Sequence, residues 1–463
     1  MAAAVNAADE LATAPVGAFH RRFALLMGLI MFFDGYDLFN AAYVIPLVRR
    51  SWQPSPSLIG IMLSAGIFGL AIGSVLQGLL ADRYGRRRVL VAALWLLMVA
   101  NLVLALVVRG PVAFALCRLV LGLALGMVTP LVLTYLNEWT PARCANTYVT
   151  WVFQLGLSLG GICAGLAGVF LTADHGWQAL YYTGALSGIV ALAATRWLPE
   201  SMRYLVLTGD SVQVRRLLAA LRPDRAALYT TAALVQPRRA PRASVGVLLS
   251  PMYRRNTLVH WAVGFLSLFC VHGLTGWLPT IVVARGAAVS SAFAYGTLIM
   301  VASIFGGMAA GWLADHWRSR VKTMAGGYLM AVLAMVGLGV VSDGPATVAL
   351  VAAAGFCIFG AQAVLNNYQA MTYHTEVRGT GLGVAVGLNR VGGILGPSVI
   401  GVIGTLSADP LYVFLVLAAA ALLAGLISLL GGPEGAAAGW EGPGAVTGHD
   451  DTAAPAVCAS SSR

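Results

Sequence analysis

Four ionisable side chains lie in stretches that otherwise read as membrane-spanning. Asp34 and Asp37 fall within MFFDGYDLFN (31–40), Arg118 opens RLVLGLALG (118–126), and Arg390 sits in GLNRVGGILGP (387–397). Of the eighteen acids, only Asp34 and Asp37 lie well inside such stretches, with Glu138 near the end of another; of the twenty-nine bases, only Arg118 and Arg390 do. A charge at bilayer depth costs about 2.5 to well over 10 kcal/mol unless it is paired or wetted. The two acids and two bases are therefore read together, as a cluster whose charges sum to zero. Asp34 and Asp37 are spaced i,i+3 and share one helical face. Arg118 lies on the stripe of Gly122 and Gly126, and Arg390 on that of Gly383, Gly387, Gly393 and Pro397. Small residues mark faces that pack on other helices, so both arginines are expected to point into a bundle. An arriving carboxylate would add one negative charge, and arginine is the fork that suits it, Arg390 first and Arg118 second. Displaced from its partner and desolvated, an aspartate then takes up a proton. Asp34 is the expected proton carrier and Asp37 its partner or a substrate-side contact. The competing reading is a static salt bridge holding helices together, with Arg118 organising its own half.

Other polar or aromatic groups inside the spans are candidates for lining a cavity: Tyr36, Gln154, His272, Trp277, Gln362 and Asn366, with Asn367 and Tyr368 beside them. Tyr36 and Trp277 could stack on a ring or serve as interfacial anchors. His272 could meet a ring hydroxyl, take a second proton or bond a neighbouring helix. No phosphate-binding loop, nucleophile motif or metal-ligand spacing stands out, so neither an enzyme nor a bound cofactor or metal is expected. The six cysteines are scattered, with no C-x-x-C.

These side chains need helices to hold them, and the composition supplies helices of one kind. The chain is 59% hydrophobic and 10% charged, where a soluble domain carries about 25% charged residues. We expect an all-α membrane protein with twelve spans, near 23–48, 58–80, 89–108, 113–136, 147–171, 179–197, 257–284, 291–314, 323–341, 345–371, 381–405 and 410–430. That gives a segment 1–22, a six-helix bundle over 23–197, a central loop 198–256, a second six-helix bundle over 257–430, and a Gly/Ala/Pro-rich tail 431–463 that is expected to be disordered. No cleavable leader is expected. Arginines crowd one set of loops and leave only Arg49, Arg50, Arg109 and Arg285 in the other, which places both termini in the cytoplasm. The net charge of +11 sits in those loops and does not point to nucleic acid.

The halves echo each other. GLLADRYGRRRVL (78–90) follows the second span and GWLADHWRSRVK (311–322) the eighth; NEWTPARCANT (137–147) and YHTEVRGTGLG (373–383) follow the fourth and tenth. Such repeats build many secondary transporters, with the substrate site between the halves near the midplane. In the first loop Gly85 supplies a tight turn, Asp82 can cap a helix and Arg86 can reach Glu138; Arg83, Arg87 and Arg143 belong to the same group. Asp315, Arg320, Glu376 and Arg378 are the second-half counterparts. Gating is the expected role of all of them, with positive-inside topology explaining part of the arginine count.

The loop GLLADRYGRRRVL, the run RLVLGLALG and LPESMRYL (198–205) resemble signatures of the major facilitator superfamily. DGYD in the first span, GWLPT (276–280) and GLNRVGGILGP are most similar to the aromatic acid:proton symporters within it. Met202 replaces the usual Pro of the third motif, and the second-half loop lacks the Gly and paired Arg of the first. The resemblance implies two six-helix bundles that work by alternating access, as a monomer in the inner membrane, importing a benzoate- or hydroxybenzoate-type carboxylate with protons. Transport of another organic anion, drug efflux and a transporter-like receptor are the alternatives.

Overall fold

The computed structural model describes residues 4–144, 148–235, 244–341, 344–407 and 409–432, and the expected disordered tail falls almost wholly outside them. Among the described residues, eleven helices are long and apolar enough to cross a membrane. Following a short helix α1 (Ala7–Ala12), the first half holds α2 (Ala18–Trp52), α3 (Pro56–Tyr84), α4 (Arg86–Leu106), α5 (Pro111–Trp139) and α6 (Gly156–His175). A π-helical stretch, Val149–Leu155, leads into α6.

The sixth expected span differs. Residues 179–197 form two helices, α7 (Gln178–Ala185) and α8 (Ser187–Trp197), neither long enough to cross alone. The break has a local cause. The Leu186 amide bonds the Thr183 carbonyl and Ile189 the Leu186 carbonyl, both i to i−3, which tightens the turn and interrupts the ladder. Thr183 also turns its hydroxyl back onto the Ala179 carbonyl, a contact that bends helices.

The central loop is not bare coil. It carries α9 (Met202–Thr208), α10 (Ser211–Leu221) and α11 (Ala226–Thr231). Two residues of it, β2 (Ala233–Leu234), pair in parallel with β1 (Ala4–Val5), a small departure from an all-helical chain. Glu10 of α1 clasps the same loop through Arg222, Arg225 and the Tyr229 hydroxyl at 3.0, 2.9 and 2.7 Å. The second half follows: α12 (Arg254–Ala284), α13 (Val289–His316), α14 (Arg320–Val340), α15 (Pro345–Thr372), α16 (Thr375–Leu406) and α17 (Pro410–Ser428). Leu25, Phe68, Leu79, Leu116, Leu192, Phe305, Leu333 and Leu426 are exposed apolar side chains around the bundle, a surface that suits lipid rather than water.

Glycine lets the helices meet backbone to backbone. A Cβ on Gly122 or Gly126 would lie 1.9 or 2.1 Å from the Gly66 or Leu70 carbonyl oxygen, so α5 lies directly on α3. Between the halves, α3 faces α16. At the end remote from the central loop the two touch: a Cβ on Gly60 would sit 2.7 Å from the Pro397 oxygen, and one on Gly401 2.6 Å from the Pro56 oxygen. Further in, the Ser64 hydroxyl donates to the Ile394 carbonyl at 2.6 Å. On the same faces nearer the central loop, Gly78, Gly379, Gly383 and Gly387 have nothing within 4 Å of where a Cβ would stand. The seam is shut at one end and parted at the other.

Candidate functional site

Asp34 and Asp37 do share a face of α2, and both are buried, at 2% and 0% exposure. They meet different partners. The Thr129 hydroxyl of α5 lies 3.3 and 3.2 Å from the two Asp34 carboxylate oxygens. The Asn101 amide of α4 donates to Asp37 Oδ2 at 2.8 Å. Arg118 is buried at 3% exposure and donates to the Asp37 main-chain carbonyl at 2.9 Å, not to its carboxylate. Arg390 crosses to α3, where it donates to the Leu70 carbonyl at 3.3 Å and contacts the Ser74 hydroxyl.

The expected closed set of ion pairs is therefore not what this conformation holds. The ion pairs among the described residues involve Arg86, Glu138, Arg222, Glu10, Asp224 and Arg225, and none joins either aspartate to either arginine. Both arginines do point inward. The glycine stripe assigned to Arg390 needs correcting, because Gly383 and Gly387 border the parted seam while Gly392 and Gly396 make the close approaches, to the Phe265 and Phe269 carbonyls of α12. Helix contact and solvent opening both favour small residues, and sequence spacing does not separate the two.

A cavity lies between the halves, lined by Leu38, Phe39, Gly66, Arg118, Leu125, His272, Thr275 and Pro397 among others. Its volume is about 30 Å³, room for one water and not for a ring. Arg118 and His272 face it, whereas Arg390 is held on α3. Tyr36 and Trp277 bond main-chain carbonyls, those of Leu180 at 2.9 Å and Pro397 at 3.0 Å. Gln362 contacts the Ser267 hydroxyl and donates to Asn366 at 2.8 Å. Gln154 is exposed, in the π-helical stretch.

The loop residues assemble as a tight junction. Gly85 closes α3 and opens α4 with φ of +93°, in the region that glycine occupies without strain. Arg86 meets Glu138 at 2.7 Å, and Glu138 also accepts from the Ser201 hydroxyl and the Arg203 amide. Glu200, which the motif contained but which was not singled out, accepts from the Arg87 and Ser201 amides at 2.9 Å. Asp82, Arg83 and Arg143 are exposed. In the second half Arg320 donates to Asn367 at 2.9 Å and Arg378 to the Tyr373 carbonyl at 3.2 Å, and Asp315 is exposed. The Glu376 side chain lies outside the described residues.

Asn101 and Thr129 were missed from the sequence. Each is a polar residue deep in an apolar run, and intramembrane polar groups commonly bond across helices.

Comparison with known proteins agrees with this architecture. Residues 27–397 match the Major Facilitator Superfamily. A gallate transporter of Pseudomonas putida is 32% identical over 93% of this chain and 96% of its own. A 4-hydroxybenzoate transporter, PcaK, of Pseudomonas aeruginosa is 34% identical over 82% and 86%. A D-xylose–proton symporter superposes with a TM-score of 0.71 at 18% identity, covering 90% of this chain and 99% of that one. A partially occluded inward-open form of the xylose transporter XylE from E. coli gives 0.69 at 16%, covering 89% and 97%. Fold and relatives bear out the resemblance drawn from the loop and span motifs: the chain belongs to the Major Facilitator Superfamily, as a membrane transporter related to carriers of aromatic acids.

Proposed function

We propose that this transporter imports an aromatic carboxylate together with protons, by alternating access of its two halves, as a monomer in the inner membrane with both termini in the cytoplasm. The observation that carries this reading is the Arg118 guanidinium facing the cavity between the halves, with two buried aspartates on the adjoining helix that form no ion pair among the described residues. The names of the relatives support the cargo class, and the Arg-rich loops support the orientation.

The mechanism needs no covalent step. In an alternate conformation the cavity widens and Arg118 offers its fork to a ring carboxylate. His272, on the opposite wall, is placed for a ring hydroxyl. The organic anion draws the arginine away from the neighbourhood of Asp37, and a proton held on Asp37 lets the arginine leave without stranding a buried negative charge. Arg390 and Asp34 act as the second pair, with Arg390 moving between α3 and the site as the seam opens and shuts. The Arg86–Glu138–Ser201 junction and its second-half counterparts hold the inner ends of the helices in one state or the other.

Uptake of labelled 4-hydroxybenzoate and gallate into proteoliposomes, with and without an inward-acid pH gradient, tests the proposal. Accumulation only with the gradient supports it. Binding without accumulation would indicate a receptor, and neither would indicate a different cargo, to be sought with aliphatic acids and drug-like compounds.

A further inference from the structure

Asp37 and Asn101 present an unusual pairing. The Asn101 amide nitrogen donates to Asp37 Oδ2 at 2.8 Å and to the Leu97 carbonyl at 3.1 Å. Two acceptors on that nitrogen fix which way the amide lies, because the flipped amide would set oxygen against oxygen twice. The remaining oxygens, Asp37 Oδ1 and Asn101 Oδ1, are both buried with no hydrogen-bond partner. They face the same point: a Cβ on Gly184 of α7 would stand 2.6 Å from Asn101 Oδ1 and 2.7 Å from Asp37 Oδ1. Two buried acceptors converging with no donor is a costly arrangement, and a single proton removes the cost.

We infer that in this conformation Asp37 is a neutral acid whose Oδ1–H donates to Asn101 Oδ1, closing a two-bond ring between acid and amide that the ionised carboxylate cannot form. Asn101 is the positioning residue that holds the proton, and Gly184 keeps the space for the ring. No atom is transferred by Asn101; the proton arrives on Asp37 and leaves from it.

The surroundings agree. Arg118 on α5 bonds the Asp37 main chain, and its Nε has no hydrogen-bond partner. An ionised Asp37 would draw that guanidinium onto its carboxylate, so a guanidinium that bonds the Asp37 main chain and makes no ion pair with its carboxylate fits a carboxyl without charge. The other titratable groups facing Asp37 are Asp34 and Tyr36 on its own helix and Tyr181 on α7. The Tyr36 hydroxyl is engaged with the Leu180 carbonyl, and Asp34 meets Thr129. The inference rests on reading the aspartates as the proton-coupling pair and moves the proton from Asp34, its first expected carrier, to Asp37.

Infrared spectroscopy of the purified full-length transporter in lipid nanodiscs, without substrate, tests it. The protonated-carboxyl carbonyl band should vanish in Asp37→Asn and persist in Asp34→Asn. In Gly184→Ala, which keeps the Asn101 donor and both polar groups but crowds the two free oxygens, the pH midpoint of the band should fall, because losing the acid's bond to Asn101 Oδ1 disfavours the neutral form. A band lost in Asp34→Asn and kept in Asp37→Asn would overturn the inference, as would its absence from the wild type or an unmoved midpoint in folded Gly184→Ala. The spectrum needs no cargo, so it stands or falls separately from the choice of aromatic acid.

Discussion

At the scale of single residues, the two arginines stand in different surroundings. Arg118 faces the cavity, while Arg390 is tied to α3. Arg118→Gln is therefore expected to weaken aromatic-acid binding by about 1.5–3 kcal/mol, the worth of a charge-assisted hydrogen bond. Arg390→Gln should reduce the transport rate more than the affinity. Equilibrium binding and initial uptake measured on both variants would check this, and a larger affinity loss in Arg390→Gln would reverse the assignment. Asp37→Asn should abolish gradient-driven accumulation while substrate exchange across the membrane continues. Accumulation at the wild-type level would remove Asp37 from the coupling. The ionisable residues were legible because their cost in a bilayer makes each one conspicuous. Asn101 and Thr129 were not, because a neutral amide or hydroxyl in a span is cheap enough to be ordinary. Their significance lies in which carboxylate they meet, a fact of three-dimensional packing.

At the scale of elements, the seam of α3 and α16 is where the proposed alternation of access would be felt. Its shut end is made of backbone, where Gly60 and Gly401 leave no room for a side chain. Gly401→Val should disfavour this conformation by about 1–3 kcal/mol, the usual cost of overpacking. A cysteine placed at Ser57, near that end, should then react faster with a membrane-impermeant thiol reagent. An unchanged rate would mean that the seam does not set the equilibrium. The long helices were legible from apolar runs, and Gly85 from its place between two of them. The interruption at Leu186 was not, because a sixth run of suitable length reads the same whether or not its hydrogen bonds slip to i−3. Nor was the division of small residues on α16 between those that pack and those that border an opening. Both kinds lie at the same helical spacing, and only the partner helix distinguishes them.

At the scale of the whole molecule, residues 4–12 and the central loop pack together against the junctions of α3, α4 and α5 that lie nearest that loop. Burial, and then the Glu10 carboxylate, push the Tyr229 phenol well above its usual range. The phenol's ordinary value is about 10. Its bond to Glu10 therefore contributes fully below that pH and is lost only as pH rises through the elevated value. Limited proteolysis of the central loop should accordingly be unchanged between neutral and mildly alkaline pH in the wild type, and faster throughout in Glu10→Ala. Equal digestion of the two proteins would count against the clasp. Glu138→Gln removes the partner of Arg86 in the same region and should lower the thermal unfolding midpoint, by an amount equivalent to about 1.5–3 kcal/mol for a bond between charged groups. The association of residues 4–12 with a loop some two hundred positions later was beyond the reach of local pattern, although Asn6 and the acids Asp9 and Glu10 already spell a helix start.

Because main-chain atoms of Pro56 and Pro397 meet glycines where the two halves close, the tightest contacts of that barrier are made by backbone. If the cavity around Arg118 and His272 selects the cargo as proposed, its side chains other than Pro397, which belongs to both, should be exchangeable to suit another ring while the backbone plug stays in place.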